Sequence, residues 1–167
     1  MPHSRAEQAF IELLHNGQLP LPRHLALADD SELPEIKRAS VIALLPNSTE
    51  QISDYLIRPW VESDLPLIRL ATARIGHLLS TEDRTRSYAR LLDDEYRAVR
   101  VAAATHLVGI DLEHSSVVTR AFNELAVAND VNSWRGEGNL NQSLVEANNG
   151  RISEAIRRLQ FAIEIDP

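Results

Sequence analysis

The sequence predicts an all-α protein arranged as a right-handed α-solenoid of antiparallel helix pairs. One observation is a phrase that occurs three times at nearly even spacing, beginning at Pro34, Pro66 and Arg97. A second is that capped, helix-period apolar patterns run throughout, and no segment alternates as a strand does. A third is the low aromatic content of 5% beside abundant Ala and Leu, which favours close helix packing. A repeat period of roughly this length indicates stacked units that cannot bury their apolar faces alone.

Capping residues and prolines predict where the helices begin and end. Ser48 and Ser80 are N-cap candidates, each with acidic or amide residues shortly behind. Pro34 and Pro66 are placed in first turns, where the missing N–H costs nothing, and Pro59 is expected to end or kink its helix. The predicted helices span residues 4–16, 22–29, 34–45, 49–58, 65–79, 82–92, 95–110, 115–129, 136–148 and 152–165.

The repeated phrase has the pattern of the second helix of a helical hairpin. A bulky apolar residue is predicted to anchor each copy: Ile36, Ile68 and Val99. Three residues later a small residue lets the neighbouring helix approach to about 8 Å: Ala39, Ala71 and Ala102. In each copy a basic residue also stands seven positions after an acid: Lys37, Arg69 and Arg100. Arg100 is expected to pair only with exposed acids, so that its replacement by Gln costs little stability.

Composition and charge limit the function classes. A net charge of −7 argues against nucleic-acid binding, which needs a clustered basic surface. The Arg-rich stretch between Arg84 and Arg100 alternates with acids and predicts a salt-bridged helix surface. The chain has no cysteine, which excludes disulfides, thiolate catalysis and covalent haem within it. No apolar run reaches about 18 residues, and no signal-peptide pattern opens the sequence, so no membrane insertion is expected.

The repeated phrase resembles the HEAT repeat, and the chain's last part resembles a tetratricopeptide repeat. The best HEAT-like copy runs from Asp93 through Val99 and Arg100 to Leu107. The tetratricopeptide resemblance rests on five residues that have the spacing of that repeat's second helix. They are the turn glycine, two alanines, a large residue and the final proline: Gly150, Ala155, Ala162, Leu159 and Pro167. Its first helix is eroded and predicted to have a more polar surface, with Gln142, Ser143 and Glu146 at usual core positions. The resemblances imply HEAT-like repeats over 1–114, continuous with a linker helix and tetratricopeptide-like repeat over 115–167.

This order of repeats resembles the C-terminal region of certain bacterial multihaem c-type cytochromes. The resemblance lies in the runs 33–45, 139–151 and 162–167. It implies a helical tail of a larger periplasmic protein, whose partner is a separate protein or a haem domain of the same polypeptide. Without that origin we expect a cytoplasmic protein. The chain departs from the family in having no haem-attachment motif, so no cofactor is expected within it.

Candidate chemical groups are few. The six histidines include no helical pair at metal-ligand spacing, and Gly136-Glu137-Gly138 lacks the third glycine and preceding strand of a dinucleotide loop. The carboxylate pairs at 29–30 and 93–94 are expected to be structural, in corresponding turns where they cap helix N-termini. Trp60 and Trp134 are expected to be packing anchors.

Because the sequence offers no convincing catalytic cluster, we predict no enzyme. The alternatives are a HEAT-like lyase that handles tetrapyrroles and a purely structural dimerisation spacer.

The predicted function is a non-catalytic protein-interaction or scaffolding module. By resemblance, the groove of the last repeat is lined by Leu140, Asn141, Leu144 and Asn148, whose asparagines can bond an extended peptide backbone. The final helix presents Ile156, Leu159, Phe161 and Ile163 around much of its circumference. We expect this helix to fray, or to bury its outer side in a homodimer.

Overall fold

The structure, a computed structural model, is all-helical over the residues that it describes. These are residues 4–45, 51–131, 133–148 and 150–165, with the side chain of Asn148 outside the described part. Ten α-helices and one turn of 3₁₀ helix, Gly76–Leu78, make up this part. The α-helices are α1 Arg5–Asn16, α2 Leu21–Asp29, α3 Glu35–Ala43, α4 Asp54–Val61, α5 Pro66–Arg74, α6 Thr81–Leu91, α7 Arg97–Leu107, α8 Ser116–Val131, α9 Gly136–Asn148 and α10 Ile152–Ile165. None combines the length and apolar character needed to cross a bilayer.

Two compact units divide the chain, residues 1–91 and 92–167. In the first unit α2 packs on α3, α4 on α5 and α6, and α3 on α5. In the second unit α7 packs on α8, α8 on α9, and α9 on α10. The predicted change of repeat type at residue 114 falls inside the second unit.

The core of the first unit is built from fully buried side chains of successive helices, among them Ile42, Ile57 and Ile68. Trp60 is buried as predicted, and its indole Nε1 donates a 2.5 Å hydrogen bond to Asp29. The Tyr88 hydroxyl donates to the Thr72 carbonyl, and burial raises the pKa of this tyrosine above its usual range although Arg84 lowers it. The polar atoms of Trp60 and Tyr88 therefore have hydrogen-bond partners in the core, as buried polar groups ordinarily do.

The local structure of the three repeated helices corrects their register. Their N-caps are Pro34, Leu65 and Tyr96, and the two intervals between these positions are equal. Four residues after each N-cap stands an arginine whose side chain donates to a backbone carbonyl before the helix. The donors and acceptors are Arg38 to Ala28 at 2.9 Å, Arg69 to Ser63 at 2.8 Å and Arg100 to Asp94 at 2.7 Å. The first basic residue of the repeat is therefore Arg38, whereas Lys37 pairs with Glu7 at 3.0 Å.

This shift by one residue concerns the first copy and explains the wrong prediction at Ile36, and the observed burial within α7 corrects a second prediction, at Ala102. Ile36 is no anchor, since it is 60% exposed, whereas Ile68 and Val99 are buried as expected. Ala39 and Ala71 are buried, but Ala102 is only half-buried. The fully buried small residues of α7 are Ala103 and Ala104. In the corrected register, positions seven and eight after the N-cap are buried in all three copies: Val41, Thr72 and Ala103, then Ile42, Ala73 and Ala104.

Arg100 also differs from its prediction, because it does not merely pair with exposed acids. Its side chain is 12% exposed and forms two hydrogen bonds to the Glu124 carboxylate, at 2.8 and 2.6 Å. It also donates to the carbonyls of Asp94 and Glu95. The hydrogen bond to Glu124 raises the pKa of Arg100, and the same bond lowers the pKa of Glu124. Arg100 therefore ties α8 to the turn that precedes α7.

The salt-bridged surface predicted for the Arg-rich stretch is confirmed. Arg86 pairs with Glu82 at 2.7 Å and with the buried Asp54 at 3.2 Å, and Arg90 pairs with Glu62 at 3.4 Å. The aspartate pairs are structural, but their described contacts are not helix N-caps: Asp30 and Asp94 bond turn backbone, whereas Asp29 and Asp93 bond side chains. Asp30 accepts from the Glu32 N–H, and Asp94 accepts from the Tyr96 N–H, each at 2.9 Å; Asp93 pairs with Arg120 at 2.6 Å.

Ser80 and Gly150 mark helix ends as predicted, but two predicted helices have other bounds. The helix predicted over 49–58 begins only at Asp54 and continues past Pro59, and the one predicted over 65–79 ends at Arg74. The Ser80 hydroxyl accepts from the Asp83 N–H at 3.1 Å, which confirms the predicted cap, whereas Ser48 lies outside the described residues. Pro59 lies inside α4, which continues to Val61, because a proline within the first two turns of a short helix displaces few backbone hydrogen bonds. Gly150 takes the left-handed conformation, φ +74°, that ends α9 and turns the chain into α10.

Candidate functional site

Three of the four predicted partner-binding residues share one side of α9. Leu140 and Leu144 are one helical turn apart and are 46% and 54% exposed. Asn141 lies at the edge of this side, half-buried, and lines a shallow recess of about 170 Å³ together with Arg135 and Glu137. The structure therefore brings Leu140, Asn141 and Leu144 onto one accessible surface, which we call the α9 face. The side chain of Asn148 lies outside the described residues.

The opposite side of α9 is buried, although its residues are mainly polar. Asn139, Gln142, Ser143 and Glu146 are each less than one-tenth exposed, and Val145 is the buried apolar residue among them. Sequence analysis placed Gln142 and Glu146 at eroded core positions and expected a more polar surface. That expectation was wrong, since the polar residues face inward and the leucines face outward. Alpha-helical proteins ordinarily have the reverse pattern.

Glu146 is the centre of the buried polar side. The Arg151 side chain and the Gln142 amide both donate to its carboxylate, the second bond at 2.8 Å, and the Arg151 N–H donates to the Glu146 carbonyl at 2.9 Å. Burial acts to raise the pKa of Glu146, but the hydrogen bonds from Arg151 and Gln142 outweigh it, so the pKa lies below its usual value. Glu146 is therefore a bonded carboxylate that fastens α9 to the start of α10.

Asn139 forms the other end of this polar side, and sequence analysis missed it. Its amide donates to the Ser133 and Arg135 carbonyls, at 2.5 and 3.2 Å, and its side-chain oxygen accepts from Arg158 at 3.3 Å. Asn139 thus closes the turn before α9 and holds α10 beside it. An asparagine just inside a glycine-rich helix start, Gly136-Glu137-Gly138, was the available signal.

Keeping these polar residues inside is costly for stability. Among the described residues, the side-chain oxygen of Gln142 is buried without a hydrogen-bond partner. Such a group costs about 1–3 kcal/mol, whereas each leucine buried in its place would contribute about 1.5–3 kcal/mol. The fold therefore does not use the hydrophobic free energy of Leu140 and Leu144, which stay in contact with solvent. Departures of this kind concentrate where a surface has a function.

Trp134 lies before α9 and is not the packing anchor that the sequence predicted. It is 68% exposed, and the Arg135 guanidinium stacks on its ring at 4.7 Å from the centroid. Its indole is therefore presented to solvent close to Leu140 along the chain. Exposed tryptophan beside arginine is typical of binding surfaces, where both residues are enriched.

A groove of about 690 Å³ borders α8 in the same unit. It is lined by the 109–114 loop, by Val118, Phe122 and Ala126 of α8, and by Val145 and Arg151. It combines an apolar floor with Asp111 and His114 at the loop and the Arg151 cation. The groove is large enough to admit a side chain.

The remaining titratable groups in the interior are structural. His24 is fully buried, and its ring Nε2 contacts the Val41 carbonyl at 2.6 Å, so it joins α2 to α3. In the described part of the chain, no three His, Asp or Glu side chains are grouped as a metal site requires. The accessible side chains of α9 and of the turn before it are exposed leucines, an edge amide and a stacked tryptophan–arginine pair.

Comparisons of the chain with protein-family models, with curated proteins and with solved structures give no match.

Proposed function

We propose that this protein is a non-catalytic interaction module that binds a protein partner on the α9 face. One observation supports the proposal: α9 has its polar residues buried and its leucines exposed. The buried residues are Asn139, Gln142 and Glu146, and the exposed ones are Leu140 and Leu144. A partner that covers the two leucines recovers the hydrophobic free energy that the fold itself leaves unused. The exposed Trp134 extends the apolar surface available to it.

The module is proposed to be a solenoid of HEAT-like repeats followed by one tetratricopeptide-like repeat. The equal intervals between the three N-caps support this architecture, as does the packing of α3 on α5 and of α4 on α6. The tight connection between α9 and α10 supports the terminal hairpin, because helices joined by so few residues run antiparallel. In such repeats the inner helix faces the partner, which is the role assigned to α9.

The resemblance to the tails of multihaem cytochromes suggests the partner and the location. We propose a haem-bearing domain of the same polypeptide, or a protein that associates with it, in the periplasm. Reading the gene upstream tests this part directly: Cys-x-x-Cys-His motifs behind a signal peptide support it, and a start codon with neither feature refutes it. The binding role of the α9 face does not depend on that outcome.

Peptide selection followed by NMR tests the binding role. Peptides chosen from a random display library against the ¹⁵N-labelled protein are expected to shift the amide signals of Leu140, Asn141 and Leu144. The variant Leu140→Ser/Leu144→Ser should weaken binding at least about tenfold, since two buried leucines contribute more than about 1.4 kcal/mol. The matched control is Leu14→Ser, an exposed leucine of α1. Selected peptides that shift other surfaces, or that bind the double variant as tightly, would rule the proposal out.

A further inference from the structure

The final helix has two apolar sides, and among the described residues only one of them is covered by other parts of the chain. Toward α9 it presents Ala155, which is buried, together with half-buried Ala162. At about 3.6 residues per turn, four other residues fall on a separate narrow strip of the helix surface. All four are exposed, and we call them the outer stripe: Ile152, Ile156, Leu159 and Ile163.

The outer stripe has no charged neighbour on its helix. The charged side chains of α10 lie elsewhere on the circumference of the helix. Arg157 pairs with Glu154 at 2.5 Å, and Arg158 donates to Asn139 of α9 at 3.3 Å. The positions that flank the stripe on its outer side are Ser153 and Gln160, which are neutral. A second surface can therefore cover the stripe without removing a charge from water, which is the main cost of burying polar surface.

The spacing of the stripe is the same read in either direction. Its members stand four, three and four positions apart. When two copies of α10 pair antiparallel about a two-fold axis, Ile152 of one copy meets Ile163 of the other, and Ile156 meets Leu159. Each apolar side chain then faces an apolar side chain, as an isologous interface requires. This alternation of three and four is also the spacing that packs helices as knobs into holes.

We propose that the outer stripe is a homodimer interface, in which α10 of a second copy of this chain packs antiparallel on it. Four side chains on one helix cover less than the roughly 800 Å² per partner of a standard stable interface. The dimer is therefore a reversible one, with a dissociation constant in the micromolar range, about 1–100 µM. It is separate from the α9 face, so the two surfaces can be occupied independently.

Sedimentation equilibrium of the full chain tests the interface. From about 1 to 500 µM, a range that brackets the expected constant, the mean mass should rise from the 18.7 kDa monomer toward twice that value. Ile156→Glu should remain a monomer throughout, with an unchanged circular dichroism spectrum. Phe161→Glu is the matched control, because Phe161 is an exposed apolar residue on the opposite side of α10. A monomeric parent at the highest concentration overturns the proposal, and so does equal loss of the dimer in both variants.

A mixing experiment tests the antiparallel register. Ile156→Glu and Leu159→Lys should each be monomeric alone. Mixed in equal amounts they should dimerise, since one layer then pairs Glu with Lys and the other keeps the native Ile156–Leu159 contact. A parallel pairing, or an interface elsewhere, gives no dimer in the mixture and refutes the geometry. Peptide binding to the α9 face should be unchanged in Ile156→Glu, so a failure here is distinguishable from failure of the proposed function.

Discussion

Replacing Arg100 by Gln should loosen α7 and α8 selectively. The change removes two charge-assisted bonds to Glu124 and two bonds to the turn carbonyls of Asp94 and Glu95. Bonds to charged groups contribute about 1.5–3 kcal/mol net, and water reaches Glu124 in part, so we expect a loss of about 2–3 kcal/mol. Arg97→Gln is the control, because this exposed arginine makes only a 3.5 Å contact with the Glu124 carbonyl.

Hydrogen exchange followed by mass spectrometry reads this loss in the two helices themselves. A decrease of about 2–3 kcal/mol in opening free energy accelerates amide exchange about 30- to 150-fold in peptides from α7 and α8. In Arg97→Gln the same peptides should change by about twofold or less, as is usual for an exposed pair. If Arg100→Gln exchanges no faster than Arg97→Gln, Arg100 does not hold the turn to α8, and the role assigned to the repeated arginine is wrong.

The remaining predictions concern packing, exposure and pH. Ala103→Asp should cost several kcal/mol of unfolding free energy in urea titrations and Ala102→Asp distinctly less; equal midpoints would contradict the burial of Ala103 and the partial exposure of Ala102 in α7. In the variant Trp60→Phe, Trp134 is the remaining tryptophan, and acrylamide should quench its fluorescence fully because the side chain is exposed. A protected, blue-shifted emission would show that Trp134 is buried. Because the bond from Arg100 lowers the pKa of Glu124, its stabilisation is present above about pH 4.5 and is lost as pH falls through the lowered pKa. Glu124→Gln should lack this acid-dependent loss in thermal melts, and an unchanged acid limb would contradict it.

The helices were predictable because their signals are local. Apolar period, Ser80 and Gly150 mark elements whose structure depends on neighbours within a few residues, and α10 was placed at its observed bounds, 152–165. The one-residue register error at Ile36 has a physical cause. Lys37 and Arg38 are adjacent basic residues, and only the three-dimensional bonds distinguish the one that reaches the Ala28 carbonyl from the one that pairs with Glu7.

The candidate site was predictable only in its outward side. Leu140 and Leu144 were identified from the repeat pattern, and the structure places both on an exposed surface. The contacts of the inward side were not predictable: the repeat pattern put Gln142 and Glu146 at core positions, but polar residues ordinarily face water. Their burial depends on partners that follow later in the chain, Arg151 for Glu146 and Arg158 for Asn139. Trp134 was misplaced for a similar reason, since a large aromatic side chain is a core residue by default.

The even spacing of Pro34, Leu65 and Tyr96 has a consequence for how the gene can change length. An insertion or loss of one residue between an N-cap and its arginine turns every later side chain of that helix by about 100° and moves the core positions to the surface. Excision of one whole interval, such as 66–96, instead joins Leu65 directly to α7 and leaves an arginine four residues after an N-cap. Chains of this kind should therefore vary among descendants in whole multiples of that interval, with single-residue length changes confined to the turns that precede the N-caps.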